Sequence, residues 1–517
     1  MNGAEALVRT LAECGVDVCF TNPGTSEMHF VAALDRLDKI YCVLALQENV
    51  ATGAADGYAR MMGRPAATLL HTGPGFGNGL ANVHNAKKAR VPMVNIVGEH
   101  ATYHIKHDAP LTSDIEAIVS PVSHWVKTSM TADDVPIDAA RAVAAAGRWP
   151  GQIATLILPA DCAWNDTVYL GVPILPDPPE KVDPADVDAV VKALKSGKKS
   201  VIFMTGEILT EPGLTLAGKV RAATGVDLMT PTSNRRIDRG VGRVPVMRLP
   251  YVVDLALETL QDYEQIILLG TTQPVSFFAY PNKPSLMAPE GCDIINLAGP
   301  EQNTLMALEL LVDALDAAEL TPEVATRADP IDFDAIQGEI TPDTIAAALA
   351  AVMPEDAIIV DESITTGRAF FPQTVGAPPH SWLQITGGAI GDGLPLAVGA
   401  GIACIDRKVI VLQADGSAMY TNQALWTMAR EELDVTILLF SNRCYRILEG
   451  EMKNVGVEEP GQVAKDLFSL SDPDIDWCLM ANSMGVNAAK VTTAEGLVPA
   501  METALEFEGP FLVEIEF

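Results

Sequence analysis

Short apolar runs bounded by glycine or proline alternate with helix-length segments along nearly the whole chain, and no other feature constrains the fold as much. The first region carries VDVCFTNPG (16–24), YCVLALQE (41–48), AATLLHTGPG (66–75) and PMVNIVGE (92–99). Continuous apolar strands separated by helices are buried on both faces, which points to parallel βα units rather than to antiparallel hairpins. The rhythm resumes with SVIFMTG (200–206), QIILLG (265–270) and DIINLAG (293–299). It returns with DAIIVDES (356–363), KVIVLQAD (408–415), VTILLFSN (435–442) and PFLVEIEF (510–517). Two proline-bearing joints, GVPILPDPPEKVDP (171–184) and ELTPEVATRADPIDFDAIQGEITP (319–342), separate the three regions. A chain of 517 residues needs more than one core. The expected architecture is therefore α/β, with three doubly wound parallel-sheet domains over residues 1–170, 184–325 and 340–517.

Charge and composition narrow the function classes. A formal charge of −32 argues against nucleic acid and against an anionic membrane surface, both of which need clustered Lys and Arg. The N-terminal MNGAEALVRTLAECG reads as an amphipathic helix without a basic, apolar and cleavable leader, so no secretory signal is expected. No apolar run approaches the ~18 residues of a membrane span. The eight cysteines are scattered without C-x-x-C spacing, and several sit in apolar runs, which fits a reduced, cytoplasmic protein.

The third region places Asp415 and Asn442 at the carboxyl ends of two successive strands, joined by a helix expected over about 422–432. Ligands of doubly wound sheets sit beyond those ends. Two oxygen-bearing side chains without histidine or thiolate suit a hard cation such as Mg²⁺ or Ca²⁺. Gly416 and Ser417 follow with close backbone approach and a hydroxyl for a phosphate. A bare strand-to-helix cap is the alternative for an Asp-Gly-Ser turn taken alone. No G-x-x-x-x-G-K-[ST] occurs, which directs the reading away from P-loop triphosphate enzymes and towards a diphosphate.

The stretch ADGSAMYTNQALW…LLFSN resembles the diphosphate–magnesium motif of thiamine-diphosphate-dependent enzymes, and the wider chain resembles acetolactate synthase and benzoylformate decarboxylase. The resemblance implies pyrimidine-binding, central and diphosphate-binding domains of the decarboxylase type. It implies Mg²⁺ held by Asp415, Asn442 and the Cys444 carbonyl. Ala414 and Ser441 depart from the family's usual Gly and Asn, and neither change removes a ligand atom. By the same resemblance Ser363 and Thr365 lie near the diphosphate, and Gly388 offers its carbonyl to the aminopyrimidine. Ile390 resembles the bulky aliphatic residue that holds the cofactor bent, although the sequence alone favours ordinary core packing for it. Pro23, Asn78, Gly416, Ser417 and Tyr445 line the cofactor. Glu48 corresponds to the glutamate that shares a proton with the pyrimidine nitrogen across a subunit interface; by itself, an acid in a first helical turn is ordinary dipole chemistry. His71 matches a substrate-contacting histidine of benzoylformate decarboxylase, and Thr25 stands where that enzyme has a serine.

The implied activity is decarboxylation of a 2-oxo acid, followed by ligation to an aldehyde or second oxo acid in the manner of acetolactate synthase. Simple decarboxylation to an aldehyde is the alternative. A middle-domain histidine of the decarboxylase has no counterpart in TTQPVSFFAYPNK (271–283), where Phe277, Phe278 and Tyr280 cluster instead. A homodimer or homotetramer with active sites between subunits is implied. The modest length and lack of a flavin fingerprint argue against FAD. Two further classes remain in view: a nicotinamide enzyme, suggested by GPGFGNG (73–79), and a non-catalytic family member. The first would have no use for Asp415 and Asn442, and the second would be expected to have lost Glu48 or a metal ligand.

Overall fold

The computed structural model describes residues 1–328 and 336–517, so the centre of the 319–342 joint lies outside the described residues. The strands assemble into three sheets. The first is all parallel, in the order Tyr41–Leu44, Val18–Asn22, Ala66–Leu70, Met93–Glu99, Ile153–Pro159, Trp125–Thr128. The second, also parallel, runs Met247–Arg248, Asp227–Thr230, Ser200–Met204, Gln265–Leu269, Asp293–Ala298. The third runs Asn487–Val491, Phe511–Glu516, Val435–Ser441, Val409–Ala414, Ala357–Glu362, His380–Gln384, Ile237–Arg239. Central strands such as Ala66–Leu70, Met93–Glu99 and Val435–Ser441 are buried along their whole length, as their predominantly apolar runs predict.

Two details differ from the sequence reading. The run at 41–48 is an edge strand, Tyr41–Leu44, with Tyr41 and Cys42 exposed; it pairs on one side only, so burial on both sides is lost. The segment Ile237–Arg239 leaves the middle region and pairs antiparallel with His380–Gln384 of the third sheet. Among the described residues no helix is long and apolar enough to cross a membrane.

Helix Glu48–Met62 of the first region packs against helix Gly393–Ala403 of the third at backbone distance. A Cβ on Gly399 would stand 1.9 Å from the Ala54 carbonyl oxygen, and one on Gly57 would stand 2.2 Å from the Leu396 carbonyl oxygen. Backbone cannot yield as a side chain does, so Gly399→Ala is expected to lower stability by about 2 kcal/mol, the middle of the range for overpacked cores. Urea unfolding monitored by circular dichroism measures it.

Candidate active site

At the carboxyl edge of the first sheet, register decides which residues meet. Asn22 lies opposite Leu70, and Leu70 opposite Val97, so Pro23–Glu27, His71 and Gly98–His100 share one rim. His71 occupies the N-cap position of helix Thr72–Ala89. Its Nδ1 lies 2.9 Å from Glu27 Oε2 and 3.2 Å from Ser26 Oγ. Glu27 is only 3% exposed, and its carboxylate also accepts the Gly24 N–H at 2.9 Å and the Ser26 hydroxyl. The pair fits because two neighbours lack side chains. A Cβ on Gly24 would stand 2.1 Å from the imidazole, and one on Gly98 would stand 1.7 Å from Glu27 Oε1. A carboxylate at Nδ1 selects the tautomer with the proton on that nitrogen and leaves Nε2 as the acceptor. Thr72, next in the chain, has φ of 53°, a left-handed conformation that a β-branched residue adopts only when its surroundings enforce it. Thr25 is exposed at the same rim, beside half-buried Pro23.

Sequence reasoning named His71 and Thr25 but missed Glu27. The available signal was the Gly24-x-x-Glu27 spacing, since an acid three residues into a helical turn reaches back to the cap N–H.

Glu48 opens helix Glu48–Met62, directly after Gln47, whose side chain accepts the N–H groups of Asn49 and Val50. The Glu48 carboxylate is mostly buried, and Asn78 Nδ2 donates to its Oε2 at 3.1 Å. A Cβ on Gly75 would be 3.3 Å from both Glu48 Oε1 and His71 Cβ, so the two residues flank the same glycine. The structure thus groups Glu48, His71, Asn78 and Glu27 at one end of one sheet.

The second group lies on the third sheet. Val409–Ala414 and Val435–Ser441 run parallel with Ala414 opposite Phe440, so Asp415 and Asn442 leave adjacent strands together. Asp415 is 3% exposed. Its oxygens accept the N–H groups of Gly416, at 2.8 Å, and Arg443, at 2.7 Å. Burial pushes its carboxyl above the ordinary value, partly offset by those backbone donors. Among the described residues it has no cationic partner. Asn442 Oδ1 accepts the Cys444 N–H at 3.0 Å and retains a second lone pair. Arg443, with φ of 54°, turns the chain so that Cys444 bridges to Ser469. Tyr445 covers Gly416, where a Cβ would come within 2.5 Å of its ring. Ser417 Oγ donates to the Ala414 carbonyl at 3.1 Å and meets Gln413 Nε2 at 2.6 Å. A buried carboxylate without a countercharge, beside an amide oxygen, is a hard-oxygen donor set that fits Mg²⁺.

Other expected residues take different positions. The Ser363 hydroxyl donates inward to Asp361, while Thr365 is half-buried in the turn that follows. Gly388 has φ of 77°, and a Cβ there would stand 2.5 Å from Cζ of Phe277. Ile390 is half-buried in the same loop. The loop is tied to the first region: Asn85 Nδ2 donates to the Ala389 carbonyl at 2.8 Å, and Asn82 Nδ2 to the Gly391 carbonyl at 3.1 Å. No hydrogen bond among the described residues joins the Glu48 group to the Asp415 group.

Two features elsewhere do not belong to this arrangement. A cleft of about 100 Å³, lined by Lys88, Arg90, Trp149, Arg235 and Thr386 among others, contains none of the expected residues. Asp476, Cys478 and Glu514 bring three ligand-type atoms together, but Lys490 already stands 3.1 Å from Glu514.

Comparison with known proteins finds matches to both ends of the chain. The profile described as "Thiamine pyrophosphate enzyme, N-terminal TPP binding domain" matches residues 1–118, and its "C-terminal TPP binding domain" counterpart matches residues 369–515. A Mycobacterium tuberculosis protein with the provisional designation acetolactate synthase large subunit IlvX is 48% identical, over 100% of this chain and 99% of its own. Benzoylformate decarboxylase of Pseudomonas aeruginosa is 28% identical over 97% of this chain and 96% of its own. The solved thiamine diphosphate-dependent 4-hydroxybenzoylformate decarboxylase of Rhodococcus jostii RHA1 superposes with a TM-score of 0.86. It is 24% identical, covers 100% of this chain and 99% of its own, and shares the fold. With an acid at one sheet edge, a cation-ready carboxylate at another and a full-length relative at this identity, the chain belongs to the thiamine pyrophosphate enzyme family.

Proposed function

We propose that this chain is a thiamine-diphosphate- and Mg²⁺-dependent enzyme that decarboxylates a 2-oxo acid and ligates the remaining acyl fragment to an acceptor carbonyl, as acetolactate synthases do. Asp415, Asn442 and the Cys444 carbonyl would hold Mg²⁺, with Gly416 and Ser417 beside the diphosphate. Gly388 and Ile390 would seat the pyrimidine, and Pro23, Asn78 and Tyr445 would complete the wall. When bound, the cofactor supplies an electron sink for the carboxyl carbon–carbon bond. Glu48 would share a proton with the pyrimidine nitrogen, held at that height by Asn78. His71, oriented by Glu27, would face substrate near Thr25. No hydrogen bond among the described residues joins the Glu48 group to the Asp415 group, and the reading, following the family resemblance, assigns them to different subunits of a homodimer, or of a tetramer built from it. A cytoplasmic location fits the unpaired cysteines.

The observation that carries ligation over simple release is Phe277. It seats an aromatic ring on Gly388, at the segment where the decarboxylase type has an acid/base histidine. Phe277 offers no acidic group there, so this side of the site supplies no proton to the fragment and leaves it to react with a second carbonyl. The competing reading, release of an aldehyde, is favoured by the Glu27–His71 pair, which can carry a proton. Products from a panel of 2-oxo acids, with Mg²⁺ and thiamine diphosphate, with and without acceptor aldehydes, separate the two. Ligated product is the expected result; aldehyde alone supports the second reading, and no cofactor-dependent CO₂ release across the panel overturns both. In the same assay Glu27→Gln, which removes the charge that fixes the His71 tautomer, is expected to lower kcat about 10- to 100-fold and to shift its pH profile.

A further inference from the structure

The seam between the first and third regions buries three carboxylates. Asp56 and Arg60 lie on helix Glu48–Met62 with fully buried side chains, and they pair through Nε–Oδ1 at 2.8 Å and Nη2–Oδ2 at 2.6 Å. Glu362, 2% exposed at the end of its strand, accepts the N–H groups of Gly391 and Gly393, both at 2.7 Å. It also accepts Gln413 Nε2 at 3.0 Å. Asp392 is wholly buried between them. It stands 3.8 Å from Arg60 Nη2, and neither of its carboxylate oxygens has a hydrogen-bond partner among the described residues.

The charge count does not close with all groups ionised. Asp56, Glu362 and Asp392 would bring three negative charges. Arg60 brings one positive charge, and Arg235, within electrostatic reach of Asp56 and Arg60, brings a second; Glu207 and Arg236, which also face Arg235, offset one another and leave one negative charge in excess. From the remaining packed elements come neutral Asn82 and Asn85, and His84, whose Nε2 meets the Gly387 carbonyl at 3.2 Å. A dry interior does not hold an uncompensated carboxylate; the group takes a proton instead. Asp56 has its guanidinium and Glu362 its backbone donors, so the proton belongs to Asp392. Burial, with Asp56 and Glu362 as like charges, pushes its carboxyl well above the ordinary range, against the pull of Arg60 and of the neighbouring Asn85 amide, whose Nδ2 hydrogens are directed to Asn82 Oδ1 and the Ala389 carbonyl.

We propose that Asp392 is a protonated latch: its neutral carboxyl allows the 386–391 loop to dock on helix Glu48–Met62, and loss of that proton releases the loop and with it Gly388 and Ile390. The latch rests on the geometry of the seam, whereas its consequence for cofactor binding rests on the function proposed above. Arg60 transmits it, since its Nη1 donates to the Gln384 carbonyl at 2.6 Å at the root of the loop. The direction with pH follows from linkage. In an open loop Asp392 meets water and ionises near pH 4; in the closed loop it keeps its proton to higher pH. Closing is therefore fully favoured at low pH, and each pH unit between those two values raises the open fraction by up to about tenfold.

Hydrogen exchange of the full-length protein between pH 4 and 8, corrected for intrinsic rates, tests this. In wild type the protection of amides in 386–391 is expected to fall by up to about tenfold per pH unit, relative to amides of Val409–Ala414. In Asp392→Asn, a neutral isostere, it is expected to stay constant within about twofold. A pH-independent loop in wild type, a measurement that needs no variant, overturns the latch, as does an equal slope in Asp392→Asn. The Kd of thiamine diphosphate with saturating Mg²⁺, measured by fluorescence, supplies the second readout. Weaker binding at pH 8 in wild type than in the variant supports the consequence for the cofactor. A loop that responds as expected in a protein that binds no thiamine diphosphate leaves the latch standing and removes the proposed function.

Discussion

Glu48→Gln is expected to fold, to bind thiamine diphosphate and to turn over about a thousandfold more slowly than wild type, within the range for loss of a positioned proton-transfer group. The amide preserves the shape of the side chain and its place in the first turn of helix Glu48–Met62. It cannot share a proton with a pyrimidine nitrogen. The direct measurement is deuterium exchange at the acidic carbon of the bound cofactor's thiazolium ring, which isolates the activation step from substrate binding. The exchange rate should fall with kcat, while the cofactor Kd changes by only a few-fold. Exchange at the wild-type rate would remove Glu48 from the mechanism. Loss of binding instead of exchange would make Glu48 an anchor for the cofactor.

The second large effect falls on the metal. Asp415→Ala removes a buried carboxylate that no side-chain cation among the described residues balances. Replacing groups that merely orient a metal ligand weakens metal binding 10- to 100-fold, so loss of the ligand itself is expected to raise the Kd for Mg²⁺ by about 100-fold or more. A ligand present at 100 times its Kd stabilises the native state by about 2.7 kcal/mol. The thermal shift that Mg²⁺ and thiamine diphosphate produce together in wild type should therefore vanish in the variant. An undiminished shift would show that Asp415 is a strand-to-helix cap and no more.

Much of the third domain was legible because its information is local. Val409–Ala414 and Val435–Ser441 are mostly apolar runs, and each ends one residue before the oxygen-bearing side chain that the strand rule places beyond the sheet edge. His71 follows its strand in the same way, whereas Glu48 stands four residues beyond the edge strand Tyr41–Leu44 and was legible only as the first residue of a helix. Glu27 was not, because its meaning lies in a partner 44 positions away, brought close by two glycines that make room and carry no periodic signal. The strand Ile237–Arg239 has three residues, too few to display a period, and its partner belongs to another sheet. Asp392 sits inside a run of glycines that reads as loop. Only the burial of Asp56, Arg60 and Glu362 around it makes its charge a problem. Ser363 has the residue type that a phosphate site uses, yet which way a hydroxyl turns is decided by a neighbour, here Asp361.

The proposed sharing of Glu48 and Asp415 between two subunits has a genetic corollary. If each catalytic centre draws one residue from either subunit, the two lesions are recessive to one another. A mixed dimer of a Glu48-defective and an Asp415-defective subunit places both lesions in one centre and rebuilds the other intact. Two alleles that are each inactive alone would then restore growth when expressed together, and the same two lesions on one chain beside a wild-type partner would leave neither centre whole. Allelic complementation of this kind maps the architecture of the assembly without isolating it.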